Sequence, residues 1–279
     1  MPDTATQPRQ ILCIKWGTFY GPQYVNILHS MVARNLTGAF KLYCLTDDAT
    51  GIRPEVTCLP LPELGCEIPP GTWGKWRKAA LWSRELPGKL TGVALFVDLD
   101  TIIVGNIDGY FTHGNPDDVI LARNWVKPLH RLGQTSIFRF KIGSHPYMLD
   151  NLRADPGGIS RKYQYEQHYV THGIKSGIKF WPGAWTCHFR VHCLPPFPLR
   201  CFIPPRLPKG AKIITFPGRP NPDDAAAGRW YHDDNDQHRP LLQHFKHVLE
   251  NNRNPNRRYT KRLRDYILPT PWIHEHWRE

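Results

Sequence analysis

No stretch of this 279-residue chain approaches the roughly 20 consecutive apolar residues that span a bilayer. The first ten residues, Met1 to Gln10, are polar and lack the apolar segment of a secretory leader. They are expected to form a disordered N-terminus, 1–10, on a cytoplasmic protein. The seven cysteines are odd in number and show no tight pairing, which argues against a disulfide framework. Cys13 and Cys44 lie inside apolar runs and read as small core residues. Cys187 and Cys193 enclose His188 and His192, but their spacing suits no common zinc module, so structural thiols are expected. No internal repeat is present. Acidic residues are few: 24 Asp and Glu against 36 Lys and Arg leave a net charge of +12. That excess implies an anionic partner, for which phosphate-bearing donors, acidic acceptors, anionic lipids and nucleic acid all qualify. Hydrophobic content of 41% with mean hydropathy −0.47 describes a soluble globular chain, long enough for one large domain or two small ones.

What the chain does have is a regular first half. Ile11–Trp16 reads as a strand closed by Gly17-Thr18-Phe19-Tyr20-Gly21-Pro22. Gln23 to Leu36 carries Tyr24, Val25, Leu28, Met31, Val32 and Leu36 at helical spacing. Phe40–Leu45 is a second strand ending in Thr46-Asp47-Asp48, and Val56–Leu61 a short third. Pro60, Pro62, Pro69, Pro70 and Gly71 make an irregular loop, and Trp76–Leu86 a short helix. Strands alternating with helices predict a parallel, three-layer α/β sheet. Later, Val119–Ala122 and Thr135–Phe140 read as strands, Arg161–His172 as a helix and Lys212–Phe216 as a last strand. Residues 181–222 are proline-rich. Beyond Pro222 the composition shifts: Asp223–Asp236 is acidic and polar, while 253–264 carries Arg253, Arg257, Arg258, Lys261, Arg262 and Arg264.

The chemistry concentrates in Val93-Ala-Leu-Phe-Val-Asp98-Leu99-Asp100. An apolar run without polar alternation reads as a strand buried on both faces. Strand alternation turns Asp98 and Asp100 to one side and Leu99 back into the protein. Paired carboxylates repel each other and favour a hard divalent cation. In open α/β sheets the ligand crevice lies beyond the carboxyl ends of the strands, where this pair falls. A strand that merely ends in acidic residues at a turn is the alternative.

These segments, in this order over roughly residues 11–222, resemble bacterial glycosyltransferases of the GT-A fold related to family 8 and to glycogenin. Trp16-Gly17-Thr18-Phe19-Tyr20 looks like the loop that cups the nucleotide base. Lys78-Ala-Ala-Leu-Trp82 is similar to the helix whose lysine reaches the donor, and Asp98-Leu99-Asp100 to the metal-binding Asp-x-Asp motif. Gln134-Thr-Ser136-Ile-Phe-Arg-Phe140 resembles the strand that faces the sugar, and Tyr165-Glu166-Gln167 stands in the place of Gly-Asp-Gln. Thr215-Phe-Pro217-Gly218-Arg219-Pro220 corresponds to the late Phe-His-Gly-x-x-Lys-Pro motif.

The resemblance implies a single α/β domain of the GT-A fold over 11–222, Rossmann-like, with a mostly parallel sheet flanked by helices. It implies transfer of a sugar, with retention, from a nucleoside-diphosphate-sugar donor to a glycan or glycolipid acceptor, as in polysaccharide biosynthesis. It further implies a Mn²⁺ or Mg²⁺ cofactor on Asp98 and Asp100. Asp98, Asp100, Gln134, Ser136, Glu166 and Gln167 become the catalytic candidates. Trp16, Gly17, Thr18, Tyr20, Asp47, Lys78, Asp98, Leu99, Gly218 and Arg219 become the donor-binding ones. Asp48 shares the base- or ribose-facing reading with Asp47, and a turn role is the alternative for both.

Two departures stand out. Glu166 reaches one methylene further than the family's aspartate, and Pro217 replaces a histidine ligand with a residue that has no ligand atom. Arg219 is available to compensate for Asn221 in the place of the family's lysine. The rival readings are a haloacid-dehalogenase-like phosphatase, with His232-Asp233-Asp234-Asn-Asp236 as its acidic metal motif, and a non-catalytic nucleotide-sugar or anionic-surface binder. Residues 223–279 are expected as a basic, aromatic extension that docks on an acceptor or on the inner face of an anionic membrane. No nucleic-acid module is recognised.

Overall fold

The computed structural model describes residues 8–71, 76–127, 129–230, 238–250 and 263–279. The chain divides into two compact units, one of residues 1–99, 106–183 and 279, the other of 100–105 and 184–278.

The first unit opens with β1 (Arg9–Lys15), α1 (Pro22–Asn35), β2 (Phe40–Thr46), β3 (Thr57–Pro60) and β4 (Val93–Val97). After β5 (Thr101–Ile103), which belongs to the second unit, it resumes with α2 (Gly109–Thr112), β6 (Val119–Arg123) and β7 (Gly133–Lys141). α3 (Tyr147–Ala154), α4 (Pro156–Tyr163), α5 (Glu166–Gly173) and β8 (Ile178–Phe180) complete it. Its seven-stranded sheet has the order β3-β2-β1-β4-β7-β6-β8. The pairs β1–β2, β2–β3, β1–β4 and β6–β8 are parallel. β7 runs antiparallel to both β4 and β6, which makes the sheet mixed rather than wholly parallel. The apolar run read as a doubly buried strand is just that, with Ala94, Leu95 and Val97 0% exposed, and in β1 Ile11, Leu12 and Cys13 are buried as fully. α1 starts at Pro22, whose fixed φ suits the first helical turn, and buries Tyr24, Val25, Leu28, Met31 and Val32. β1 begins at Arg9, inside the segment read as a disordered terminus, and Arg9 pairs there with Asp108.

Two sequence expectations are corrected. Trp76–Leu86 is not one helix along its whole length: it is helical over Arg77–Trp82, as a 3₁₀ segment ended by extended Ser83. Trp82 is 2% exposed, its ring stacked 5.7 Å from Phe138 and tilted 5.3 Å from Phe140, so aromatic packing sets the local backbone. Arg161–His172 is not one helix either. α4 ends where Gln164 takes φ +60°, Tyr165 is extended, and α5 restarts at Glu166. α4 also begins earlier than periodicity suggests, because Asp155 caps it by accepting a bond from the Gly158 N–H at 2.8 Å.

The second unit contains β5, β9 (Thr186–His188) and β10 (Ile213–Thr215), in the order β5-β10-β9. β10 lies antiparallel to β5 and parallel to β9. Phe189 and Phe216 stack at 4.5 Å in its interior. The chain from Asp265 to Arg278 is built into this unit. Ile267 and Ile273 are 1% and 0% exposed, the Thr270 N–H donates to the Ala226 carbonyl at 3.3 Å, and the Trp272 indole donates to the Pro205 carbonyl at 3.1 Å. The acidic His232–Asp236 run and most of the basic 253–264 stretch lie outside the described residues. Among the described residues no helix is long and apolar enough to cross a membrane.

Candidate functional site

The division between the units falls between Leu99 and Asp100, so the two aspartates of the motif belong to different units. In the first unit, β4 delivers Asp98 just beyond its carboxyl end, and the Asp98 N–H extends the ladder to the Ser136 carbonyl at 2.8 Å. The 3₁₀ segment presents Lys78 to it. The Lys78 ammonium donates to both Asp98 carboxylate oxygens, at 3.1 and 2.9 Å, and to the Thr135 carbonyl at 2.9 Å. The Thr135 hydroxyl in turn donates to Glu166 Oε2 at 2.8 Å. Lys78 is therefore no solvated lysine; it ties β4, β7 and the start of α5 into one polar cluster.

Glu166 is 3% exposed, and among the described residues its Oε1 has no hydrogen-bond partner. Burial pushes its carboxyl above the ordinary glutamate range, while the Lys78 charge and the Thr135 bond act in the opposite direction. Its position in the first turn of α5 places the carboxylate at the positive end of a helix. Gln167 is half-buried, and its carbonyl accepts from Thr171 Oγ1 at 2.7 Å.

Strand alternation separates the remaining β7 candidates from this cluster. Gln134 and Ser136 share the other face of β7 and satisfy each other. The Gln134 amide donates to Ser136 Oγ at 2.6 Å, and the Ser136 N–H donates to Gln134 Oε1 at 2.7 Å. Both are buried, at 7% and 1% exposure. Thr135, which sequence reasoning passed over, bridges Lys78 and Glu166; the same period-2 rule points to it, since neighbours on a strand cannot share a face.

The loop after β1 carries Trp16 and Phe19, 40% and 53% exposed, and Tyr20, half-buried against Tyr24 at 4.8 Å. Gly17 takes φ +60°, and its N–H donates to Asp47 Oδ2 at 3.0 Å. The Arg77 guanidinium lies 5.2 Å over the Trp16 ring. Thr18 is exposed in the same loop. Asp48 accepts from the Thr50 N–H at 2.9 Å, and that bond holds its carboxyl below the usual range. Asp48 thus serves the turn in which it stands, while Asp47 ties that turn to the loop after β1.

In the second unit, the Asp100 carbonyl accepts from the Phe216 N–H at 3.0 Å, extending the β5–β10 pairing. The Pro217 carbonyl accepts from Arg190 at 3.1 Å, and Gly218 takes φ +91°. Arg219 donates to Asp224 Oδ2 at 3.3 Å, and Arg229 pairs with the other Asp224 oxygen at 3.2 Å. Arg219 therefore serves a buried carboxylate, with Asp224 at 0% exposure. His188 accepts at Nδ1 from the Arg190 N–H at 3.0 Å. Burial, with the Arg190 charge, lowers its imidazole to about 3. All seven cysteines are free thiols.

Asp98 and Asp100 are the residues that the sequence assigns to a divalent cation. Among the described residues no three His, Cys, Asp or Glu side chains come together as a ligand set. Lys78 occupies both Asp98 oxygens. The described residues do not fit a cation held by protein side chains alone.

No family model matches the chain, and no curated protein matches it. Solved structures do. A crystal structure of the galactosyltransferase LgtC in complex with donor and acceptor sugar analogs is similar over 95% of this chain and 99% of that one, at 9% identity and a TM-score of 0.54. An active-site mutant of LgtC is similar over 76% of this chain and 89% of that one, at 10% identity and a TM-score of 0.52. Identity this low speaks for architecture. The chain has the α/β fold of the GT-A glycosyltransferase structures.

Proposed function

We propose that this chain is a glycosyltransferase that moves a sugar from a nucleoside-diphosphate-sugar donor to a glycan or glycolipid acceptor, with retention of configuration. The observation that carries the reading is the Lys78–Asp98 pair at the carboxyl end of β4, where open α/β sheets bind their ligands. The fold it shares with a structure holding donor and acceptor sugar analogs supports a transferase over a phosphatase.

In this reading Trp16, Phe19 and Tyr20 offer flat faces to the base, and Gly17 lets the backbone turn close to it. Lys78 faces the negative charge that develops as the diphosphate leaves. Its ammonium is already oriented by Asp98 and the Thr135 carbonyl, so little reorganisation accompanies the reaction. Glu166 and Gln167, at the start of α5, face the sugar. Glu166, oriented by Thr135 through Oε2, holds or accepts a proton at its Oε1.

Thermal-shift measurements with nucleoside diphosphates and their sugars test the reading. A ligand at about 100 Kd should add roughly 2.7 kcal/mol to stability. Hydrolysis of the matching nucleotide-sugar should follow, with none of a generic phosphate ester. Ester hydrolysis without nucleotide binding would return the phosphatase; binding without turnover on any acceptor would leave a non-catalytic binder.

A further inference from the structure

Beside this site the first unit holds a second feature. A cleft of about 520 Å³ is lined by Lys127, Lys162, Tyr163, His168 and His172, with Leu132 and Gln164. Among the described residues no carboxylate lines it. A separate cleft of about 640 Å³ places Glu63, Glu85 and Asp150 beside Arg84, Lys89 and Arg153, so its charges balance. Lys127 and Lys162 are exposed, and among the described residues neither enters an ion pair.

The walls suit a sugar ring as well as an anion. Tyr163 stacks on His172 with ring centroids 6.1 Å apart and planes 22° apart, giving a flat face, and the Lys162 ammonium lies 5.1 Å from the Tyr163 ring. Half-buried His168 is held below the ordinary histidine range by burial and by the Lys127 and His172 charges, which keeps its ring a neutral hydrogen-bonding group. The volume falls within the ~300–1,000 Å³ of small-molecule sites. The cleft also shares its elements with the candidate site. α5 carries Glu166 and Gln167 at its start and His168 and His172 beyond them, and Leu132 immediately precedes β7.

We propose that this cleft binds an acidic sugar, one bearing a carboxylate or a phosphate, with Lys127 and Lys162 on the anion and Tyr163 against the ring. On the glycosyltransferase reading, that sugar belongs to the acceptor; the binding itself does not depend on that reading. The excess of cations over the whole chain favours the same ligand chemistry.

Calorimetry on the full chain with glucuronate, glucose 6-phosphate, glucose and inorganic phosphate tests it. Glucuronate or glucose 6-phosphate should bind at least about tenfold more tightly than glucose, as a charge-assisted contact requires. Which of the two binds identifies the acid as a uronate or a phosphate ester. Lys127→Ala with Lys162→Ala should abolish that preference while leaving the thermal shift with nucleoside diphosphates unchanged. Equal affinity for glucose and the acidic sugars, a preference that survives the double variant, or inorganic phosphate binding as tightly as glucose 6-phosphate would each overturn the proposal. Acidic-sugar binding in a protein that ignores nucleoside diphosphates would sink the proposed function and leave the cleft standing.

Discussion

Lys78 is the residue on which the site turns, because one ammonium meets the Asp98 carboxylate and the Thr135 carbonyl together. Lys78→Ala should weaken nucleoside-diphosphate binding by about 1–3 kcal/mol, the range for a charge-assisted hydrogen bond, as read by calorimetry. An unchanged Kd would confine this lysine to a structural role. Glu166 gives a test with a sign. Its folded pKa is raised by burial, so the stability it contributes is complete below the ordinary value of 4.5. That contribution is lost as pH rises toward the folded value. Glu166→Gln should therefore gain stability relative to the parent at about pH 7 compared with about pH 4, measured as the difference in Tm, while transfer falls. The Asp-x-Asp motif was legible because a doubly buried strand announces its own end. The partner of Asp98 was not, since nothing local couples it to a lysine 20 positions earlier. Nor was the service of Arg219 to Asp224, a carboxylate whose burial only the fold creates.

At the scale of elements, the strands were the readable part. β1, β2, β4, β6 and β7 carry apolar runs that no surface segment would tolerate. Three-residue strands such as β5, β8 and β9 are too short to show any period, so they were missed. The short helix expected over Trp76–Leu86 is present only as the 3₁₀ segment, where Trp82 answers to Phe138 and Phe140 rather than to its own turn. Trp82→Ala should accordingly cost about 3–5 kcal/mol in urea unfolding, the range for deleting a buried aromatic side chain. A loss below 1 kcal/mol, less than burial of such a ring alone is worth, would mean that Trp82 is not packed in this core. The break at Gln164 carried no glycine or proline to mark it. It also separates α4 from α5 and lets Lys162 and His172 line a common cleft.

For the molecule as a whole, the C-terminal segment decides whether an extension can be removed. Composition alone marks 223–279 as different, yet Asp265, Tyr266, Ile267, Thr270 and Ile273 are all 8% exposed or less. Deleting 265–279 should lower Tm and expose apolar surface to a hydrophobic dye, because burial of this size stabilises by about 25 cal/mol per Å². Unchanged melting would show that the second unit closes without it. The strong positive charge, by contrast, says nothing of the fold and speaks only of partners.

The short strand β5 carries a consequence for how the chain is made. Thr101–Ile103 pairs with Thr215–Ile213, so this edge of the sheet joins segments more than a hundred residues apart. On the ribosome, Thr101–Ile103 emerges long before its partner and must wait, unpaired, while the rest of the first unit is synthesised. Severing the chain after Gly183 would strand the downstream piece without that edge, leaving β10 with an open row of N–H and C=O groups. Residues 184–279 expressed alone should therefore aggregate. A synthetic peptide of residues 99–106, added during refolding, should restore a soluble species that light scattering can distinguish.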